Sequence, residues 1–295
     1  MPDGPKGEYL TDRLADESIK FINNSLGNPF FLYLSLYTVH TPIEGCIKYD
    51  DLYLQKSQTL PDSGKVQTEK EHEGLTRTNQ SNPKYAAMVR SMDENVGRII
   101  QHLNQTGLAE NTVLIFTSDN GGLSTLKRPG PTSVRPLRAG KGWCYEGGIR
   151  VPLIIKAPTL KNPGRHCAQP VISMDLYPTL LELANISLLP DQHQDGLSLT
   201  SLIMNPDISF RRLLTWHFPH YHGSTWRPGS AIRQGDWKLI QYYENQEFEL
   251  YNLSTDLQEQ SNLSLERPQK AKELQELLHR QLRDMGAKFP SNLSR

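Results

Sequence analysis

Two short, almost unbroken apolar runs constrain this chain more than any other feature. Phe30-Phe-Leu-Tyr-Leu-Ser-Leu-Tyr37 and Thr112-Val-Leu-Ile-Phe-Thr117 lack both the period and the length of an amphipathic helix. They read as strands buried on both faces, which a parallel sheet requires because its crossover helices cover both sides. Val151 to Ala157 reads as a third such strand. Between them, Tyr85, Met88, Met92, Val96, Ile99, Ile100 and Leu103 recur at three and four residues, the pattern of an amphipathic helix, and Gly107 is placed to end it. Thr11 is expected to cap a helix over 12–24, and Ser173 one over 175–185. Strands alternating with helices predict an α/β domain, a mostly parallel sheet flanked by helices, over residues 1–208.

The pattern changes after residue 208. Ser230 to Arg233, Trp237 to Tyr243 and Phe248 to Tyr251 are short strand-like runs, and Gly235-Asp236 sits where a tight hairpin turn would sit. A helix from Pro268 to Met285, with Leu274, Leu278 and Leu282 on one face, ends at Gly286. Residues 209–295 are therefore expected to form a small antiparallel sheet with one packing helix. Residues 45–82 are polar and aperiodic, and read as a long surface loop with at most one short helix.

Lys plus Arg and Asp plus Glu each number 32, so the formal charge is +0 and nothing electrostatic points to a nucleic-acid partner. With 37% hydrophobic residues the chain can bury a core, and no apolar run approaches the roughly 20 residues of a membrane span. The opening residues Met1 to Lys6 carry no apolar run of the kind a secretory leader has. Three cysteines, Cys46, Cys144 and Cys167, form no CxxC pair, which argues against zinc and against a disulfide scaffold. Asn-x-Ser/Thr acceptors begin at Asn23, Asn79, Asn104, Asn185, Asn252, Asn262 and Asn292, a pattern of either a glycoprotein on a secretory route or a polar Asn- and Ser-rich surface.

Candidate chemistry lies at the carboxyl ends of the apolar runs, where open α/β sheets bind ligands. Asp119 and Asn120 follow the second run. A carboxylate beside an amide offers hard oxygens that suit Ca²⁺ or Mg²⁺, although an Asx turn explains Ser-Asp-Asn-Gly without a metal. His40 follows the first run and could donate to an anion or a leaving group. The segment Leu137 to Pro152 combines Gly140, Gly142, Gly147 and Gly148 with Arg138, Lys141 and Arg150. Glycines there would let backbone approach a ligand, a cation there would meet a tetrahedral anion, and Glu146 is expected to pair with Arg150. Asp50-Asp51 reads as a solvated helix face. His217, His220 and His222, with Trp216 and Tyr221, match no zinc spacing and read as an aromatic pocket wall or packing surface, with His217 a minor substrate-binding candidate.

Taken in order, Phe30 to Pro42, Thr112 to Gly122, Gly140 to Pro152 and Ser230 to Tyr251 resemble a sulfatase of the arylsulfatase type, in the alkaline-phosphatase-like superfamily. The combination of Ser-Asp-Asn-Gly with Gly-Lys-x4-Glu-Gly-Gly-x-Arg-x-Pro is specific, and Ala-Ile-Arg-x-Gly-Asp-Trp-Lys-Leu-Ile resembles the family's small C-terminal domain. The resemblance implies hydrolysis of sulfate esters of small molecules or glycans. It makes Asp119 and Asn120 two of four protein ligands to Ca²⁺, Lys141 a sulfate contact and His40 a neighbour of the ester oxygen. It also implies a formylglycine nucleophile made from Cys-x-Pro/Ala-x-Arg. Lys48, Glu146 and Gln169 stand two after the three cysteines, so none fits, and Ser81-Asn-Pro-Lys-Tyr85 lacks the arginine. The family's Asp-Asp metal pair is missing as well. The chain is thus expected to be an α/β domain without its N-terminal part, with an exposed sheet edge that a partner chain or oligomer would cover. The competing readings are a truncated, non-catalytic sulfatase-like module and a phosphatase or phosphodiesterase of the same superfamily. By family, the expected compartment is lysosomal, extracellular or periplasmic.

Overall fold

The computed structural model describes residues 4–158, 160 and 163–291, so the acceptor at Asn292 lies outside the described residues. In chain order its elements are α1 (Leu10–Asn24), α2 (Ile47–Gln58), β1 (Thr68–Glu71), β2 (Gly74–Arg77), α3 (Pro83–Gln105), β3 (Leu114–Thr117), β4 (Thr125–Leu126), α4 (Glu146–Ile149) and β5 (Leu153–Lys156). They continue with α5 (Leu176–Leu183), α6 (Thr200–Met204), β6 (Leu213–Phe218), β7 (Gly229–Gln234), β8 (Trp237–Tyr242), β9 (Phe248–Asn252) and α7 (Pro268–Asp284). The chain is mixed α/β with a separate C-terminal sheet and helix, as expected. It divides into two compact units, one of Met1–Leu108, Asp119–Val151 and Leu214–Arg295, the other of Ala109–Ser118 and Pro152–Leu213.

In the first unit α1 and α2 both pack on α3. Ala87, Met88, Ile99 and Leu103 form the buried stripe of α3, and the Asn82 side chain caps it by accepting from the Tyr85 N–H. Thr11 lies inside α1 rather than capping it, and its hydroxyl bonds the Thr38 hydroxyl instead. Asp12 joins the three helices by accepting from Asn95 at 2.7 Å and pairing with Lys48 at 2.9 Å.

The 45–82 stretch holds more than the expected loop. Besides α2 it contains the β1–β2 hairpin, to which β4 adds in the order β1-β2-β4. The sequence Thr-Glu-Lys-Glu conceals β1 because its alternation is polar against polar. The hairpin is fixed by buried polar bonds: Arg77 donates to Gly130 O at 3.2 Å and Ser81 Oγ at 2.6 Å, and Thr76 meets Thr125 at 2.6 Å.

The C-terminal sheet runs β6-β7-β8-β9, with β7–β8 and β8–β9 antiparallel and Gly235 (φ 58°) at the tight turn between β7 and β8. Leu274, Leu278 and Leu282 of α7 are buried against β7 and β8, each worth roughly 1.5–3 kcal/mol of transfer free energy. Under the sheet lies an aromatic core of Trp143, Tyr145, Trp226, Tyr242 and Tyr251.

The second unit pairs β3 with β5, antiparallel, Ile115 opposite Ile155. The β1–β2, β2–β4, β3–β5, β7–β8 and β8–β9 ladders are all antiparallel, where the sequence suggests parallel pairs. Ser173 does not cap the 175–185 helix, which starts at Leu176 without a side-chain cap. Asp175, rather than Ser173, accepts from the Ile172 and Leu197 N–H groups, each at 2.8 Å, and its buried carboxylate meets Arg212 at 2.7 Å.

The largest difference concerns residues 30–37. This segment forms no strand ladder, and its side chains alternate between exposed and half-buried, with Tyr33 81% exposed. Period-two burial is the signature of an extended strand with one face covered. Its expected double burial fails because no described strand pairs with it. Phe31, Tyr33 and Tyr37 therefore form an exposed apolar row. The chain on its own is expected to self-associate in sedimentation velocity at micromolar concentration, and Phe31→Ser with Tyr33→Ser to restore the monomer. A monomeric wild-type chain would contradict this.

Candidate active site

His40 ends the extended segment on a tight turn, its N–H bonding Tyr37 O at 2.8 Å. The ring is exposed, and its Nδ1 donates to Thr41 O at 2.8 Å. That bond fixes the tautomer, so Nε2 carries the lone pair and accepts from Lys141 Nζ at 3.1 Å. Two residues 101 positions apart are thus joined head to head.

Lys141 is held from behind by backbone. Its N–H donates to Gly122 O at 2.9 Å, and Gly121 N–H donates to Gly148 O at 3.0 Å. The turn carrying Asp119 and Asn120 is therefore laced to the glycine-rich segment on both of its following residues. The glycines serve this lacing rather than a ligand. A Cβ on Gly121 would lie 1.8 Å from Gly147 O, one on Gly140 2.3 Å from Gly122 O, and one on Gly148 2.0 Å from Trp143 O. Backbone meets backbone there, which only glycine permits.

The cations of this segment separate by function. Arg138 turns away to make a bidentate pair with Glu71 (2.8 and 2.9 Å), donates to Glu259 O at 2.6 Å and lies 3.9 Å from the Tyr145 ring centroid. Arg150 pairs with Glu146, as expected, but Glu146 is itself buried between Lys238 at 3.1 Å and Arg233 at 3.5 Å. Lys141 is the cation of this segment that faces His40.

The four sequence-selected residues thus fall into two pairs. His40 and Lys141 are in direct contact, while Asp119, exposed, and Asn120, half-buried, sit on the turn bonded to Lys141. Their carboxylate and amide oxygens suit a hard cation. Among the described residues no group of three or more His, Cys, Asp or Glu side chains that could hold a metal ion is present.

His217 stands apart from this site. Nδ1 meets Ser230 Oγ at 2.7 Å and Tyr243 OH at 3.0 Å, Nε2 donates to Lys288 O at 2.8 Å, and the ring packs on Phe289. Both nitrogens have internal partners, which makes it a packing histidine. The histidine that does approach is His222. A Cβ on Gly142 (φ 84°) would fall 2.2 Å from its Nδ1. Nδ1 accepts from Ser224 N–H at 3.1 Å and from Ser224 Oγ at 2.8 Å, so Nε2 carries the proton. Partial burial, and then the charge of Lys141, hold its pKa below the usual histidine value, so His222 is a neutral donor near pH 7. The sequence placed it in an aromatic cluster but gave no sign that it would be the member beside Lys141.

Cys46 and Cys144 are buried, Cys167 is exposed, and burial pushes the Cys144 thiol up to about 12.

These observations meet independent comparisons. A family model described as Sulfatase matches residues 2–186, and one described as N-sulphoglucosamine sulphohydrolase, C-terminal, matches residues 139–288. A sulfatase of Formosa agariphila is 37% identical over 281 residues, covering 88% of this chain and 47% of its own. The crystal structure of Ps i-CgsB in complex with k-i-k-neocarrahexaose superposes with a TM-score of 0.71 at 27% identity, over 92% of this chain and 55% of the other. A structure in complex with its substrate D-glucosamine-2-N,6-O-disulfate superposes with a TM-score of 0.58 at 29% identity, over 68% and 40%. The chain spans about half the length of the relatives it matches.

Proposed function

Because the chain belongs to the sulfatase family, we propose that its site acts on a sulfate ester carried by a saccharide. The observation that carries this reading is the 3.1 Å contact between Lys141 Nζ and His40 Nε2, anchored by backbone to the Asp119–Gly122 turn. The saccharide class is supported by the sugar ligands named for the two solved structures.

Lys141 supplies a fixed positive charge for a sulfo oxygen. Lys141 donates to the His40 Nε2 lone pair across their contact, and a Lys141 N–H proton can pass to the bridging ester oxygen as the sulfur–oxygen bond breaks and that oxygen takes the electron pair. His222, neutral and protonated on Nε2, adds a donor without adding charge. Asp119 and Asn120 are the residues that would hold Ca²⁺, which when bound neutralises the sulfo oxygens. A formylglycine does not fit this chain: no cysteine has the required Pro/Ala and Arg after it, so no nucleophilic step is assigned to its residues.

That same feature favours a second reading, a sulfate-binding module without turnover. One experiment separates the two. The chain as it stands is expected to bind inorganic sulfate and to leave an aryl sulfate unhydrolysed. Hydrolysis abolished by Lys141→Ala would establish catalysis by this chain alone, and failure to bind sulfate would reject both readings.

We place the protein in an exported or lysosomal compartment. Exposed acceptors at Asn104 and Asn185 fit a glycoprotein, whereas Asn79 and Asn262 use their amides to bond backbone. Among the described residues no helix is long and apolar enough to cross a membrane. The exposed row at Phe31, Tyr33 and Tyr37 is where a partner chain or second copy would add.

A further inference from the structure

A concavity lies in the first unit, with a volume of about 460 Å³, lined by His72, Glu73, Thr225, Arg227, Glu244 and Glu247. Its size falls within the roughly 300–1,000 Å³ range of small-molecule sites. Every lining side chain is polar. Arg227 lies 4.4 Å from the Tyr242 ring centroid and reaches Glu247 at 3.1 Å and Glu244 at 3.5 Å, while its Nη2 meets His72 Nδ1 at 3.5 Å. His72 in turn packs against Trp143 with the rings tilted by 40° and 5.2 Å between centroids, and its Nε2 meets Tyr145 OH at 3.1 Å.

The walls are costly to build. His72 (φ 49°) and Thr225 (φ 71°) both take left-handed backbone without being glycine, and for a β-branched threonine this is a true outlier. Thr225 Oγ1 and Arg227 Nε are buried without a hydrogen-bond partner among the described residues. Gly74 lets the hairpin approach, since a Cβ there would lie 2.5 Å from Thr225 Oγ1. Two of the six left-handed non-glycine residues and two of the six buried unpartnered side-chain atoms among the described residues border this hollow, and such strain gathers at binding sites.

We propose that this hollow is a subsite for an uncharged sugar ring, adjoining the sulfo site. Three carboxylates against one guanidinium leave it acidic, with His72 neutral because burial holds its pKa below the usual value. A sulfated or carboxylated ring is repelled there. A neutral pyranose offers hydroxyls that donate to Glu244 and Glu247 and accept from the Arg227 guanidinium. The two sites are joined by short stretches of chain. Trp143, whose ring packs against His72, is two residues from Lys141, and the turn that places His222 beside Gly142 continues directly into Thr225 and Arg227. The saccharide reading of the sulfo site motivates the proposal, but the subsite can be tested without it.

The test is an NMR titration of the chain with lactose, cellobiose and chitobiose in turn, and separately with inorganic sulfate, reading the indole N–H resonances of Trp143 and Trp226 and the ring resonances of His40. At least one neutral disaccharide is expected to shift the Trp143 signal saturably at millimolar concentration. Arg227→Lys or Glu247→Gln should weaken that binding about tenfold, and Lys141→Ala should leave it unchanged. Glu247 is largely exposed, so its variant keeps the fold. No response to any of the three, a response indifferent to both substitutions, or tighter binding of a sulfated disaccharide that survives Lys141→Ala would overturn the subsite. Sulfate binding lost in Lys141→Ala with no disaccharide response would reject the subsite and leave the sulfo site standing. The reverse pattern would reject the sulfo site alone.

Discussion

Lys238→Ala is expected to destabilise the chain by about 3–5 kcal/mol, the cost of removing one partner from a buried ion cluster. Lys238 is fully buried and lies 3.1 Å from Glu146 and 2.8 Å from Glu259, whose side chains are 2% and 0% exposed. Glu146 keeps Arg233 and Arg150 when the lysine is gone, at 3.5 Å each. Glu259 keeps the Glu146 N–H, at 2.6 Å, but loses its ion-pair partner. Burial already raises the Glu259 pKa, while at Glu146 burial acts upward but is outweighed by Lys238 and the other cations, which leave its pKa lowered. Without Lys238 the Glu259 carboxyl must take up a proton on folding. The native variant then binds more protons than the unfolded chain, so its stability falls as pH rises above the unfolded glutamate value. Urea unfolding should show the loss larger at pH 8 than at pH 5, with Lys238→Ala/Glu259→Gln recovering part of it. A Lys238→Ala chain within about 1 kcal/mol of wild type, or one more stable at pH 8, would refute this role for the cluster.

Lys141→Ala is expected to lower the affinity for sulfate by about ten- to a hundredfold, the worth of one charge-assisted hydrogen bond at roughly 1.4 kcal/mol per decade. Calorimetry at fixed ionic strength checks it, because an exposed charge is screened by salt. Arg150→Ala is the control. Arg150 is equally cationic and nine residues away, yet it pairs with Glu146, and its loss should leave sulfate affinity within twofold. Equal effects of the two substitutions would mean that sulfate responds to net charge and not to a site.

How much of this was legible in the sequence depended on which neighbours a residue needed. His40 and Lys141 stand out in the sequence because each ends or follows a segment with strong local character, an apolar run in one case and a glycine-rich stretch in the other, and the fold brings the two into contact. The β7–β8 hairpin and α7 were readable for the same reason, since a Gly-Asp turn and a leucine stripe are local signals. What was not readable depended on distant partners. Phe30 to Tyr37 has a strand's composition, but burial on two faces needs strands on both sides, and no described strand supplies them. The glycines around Lys141 suggest room for a ligand in the sequence, and in the fold they make room for the Gly122 and Trp143 carbonyls. β1 was hidden because its outward and inward residues are equally polar, the inward Glu71 being matched by Arg138 from 67 residues away. His222 and His217 look alike in sequence. They separate only when Gly142 approaches one and the C-terminal segment at Lys288 and Phe289 occupies the other.

The most direct test of the central claim is a crystal structure of the chain grown with selenate, which replaces sulfate and scatters anomalously. The expected result is one strong anomalous peak within hydrogen-bond distance of Lys141 Nζ, bordered by His40 and by the turn bearing Asp119 and Asn120. Selenate bound elsewhere while this rim stays empty, or a rim in which Lys141 and His40 have parted and face different directions, would contradict it.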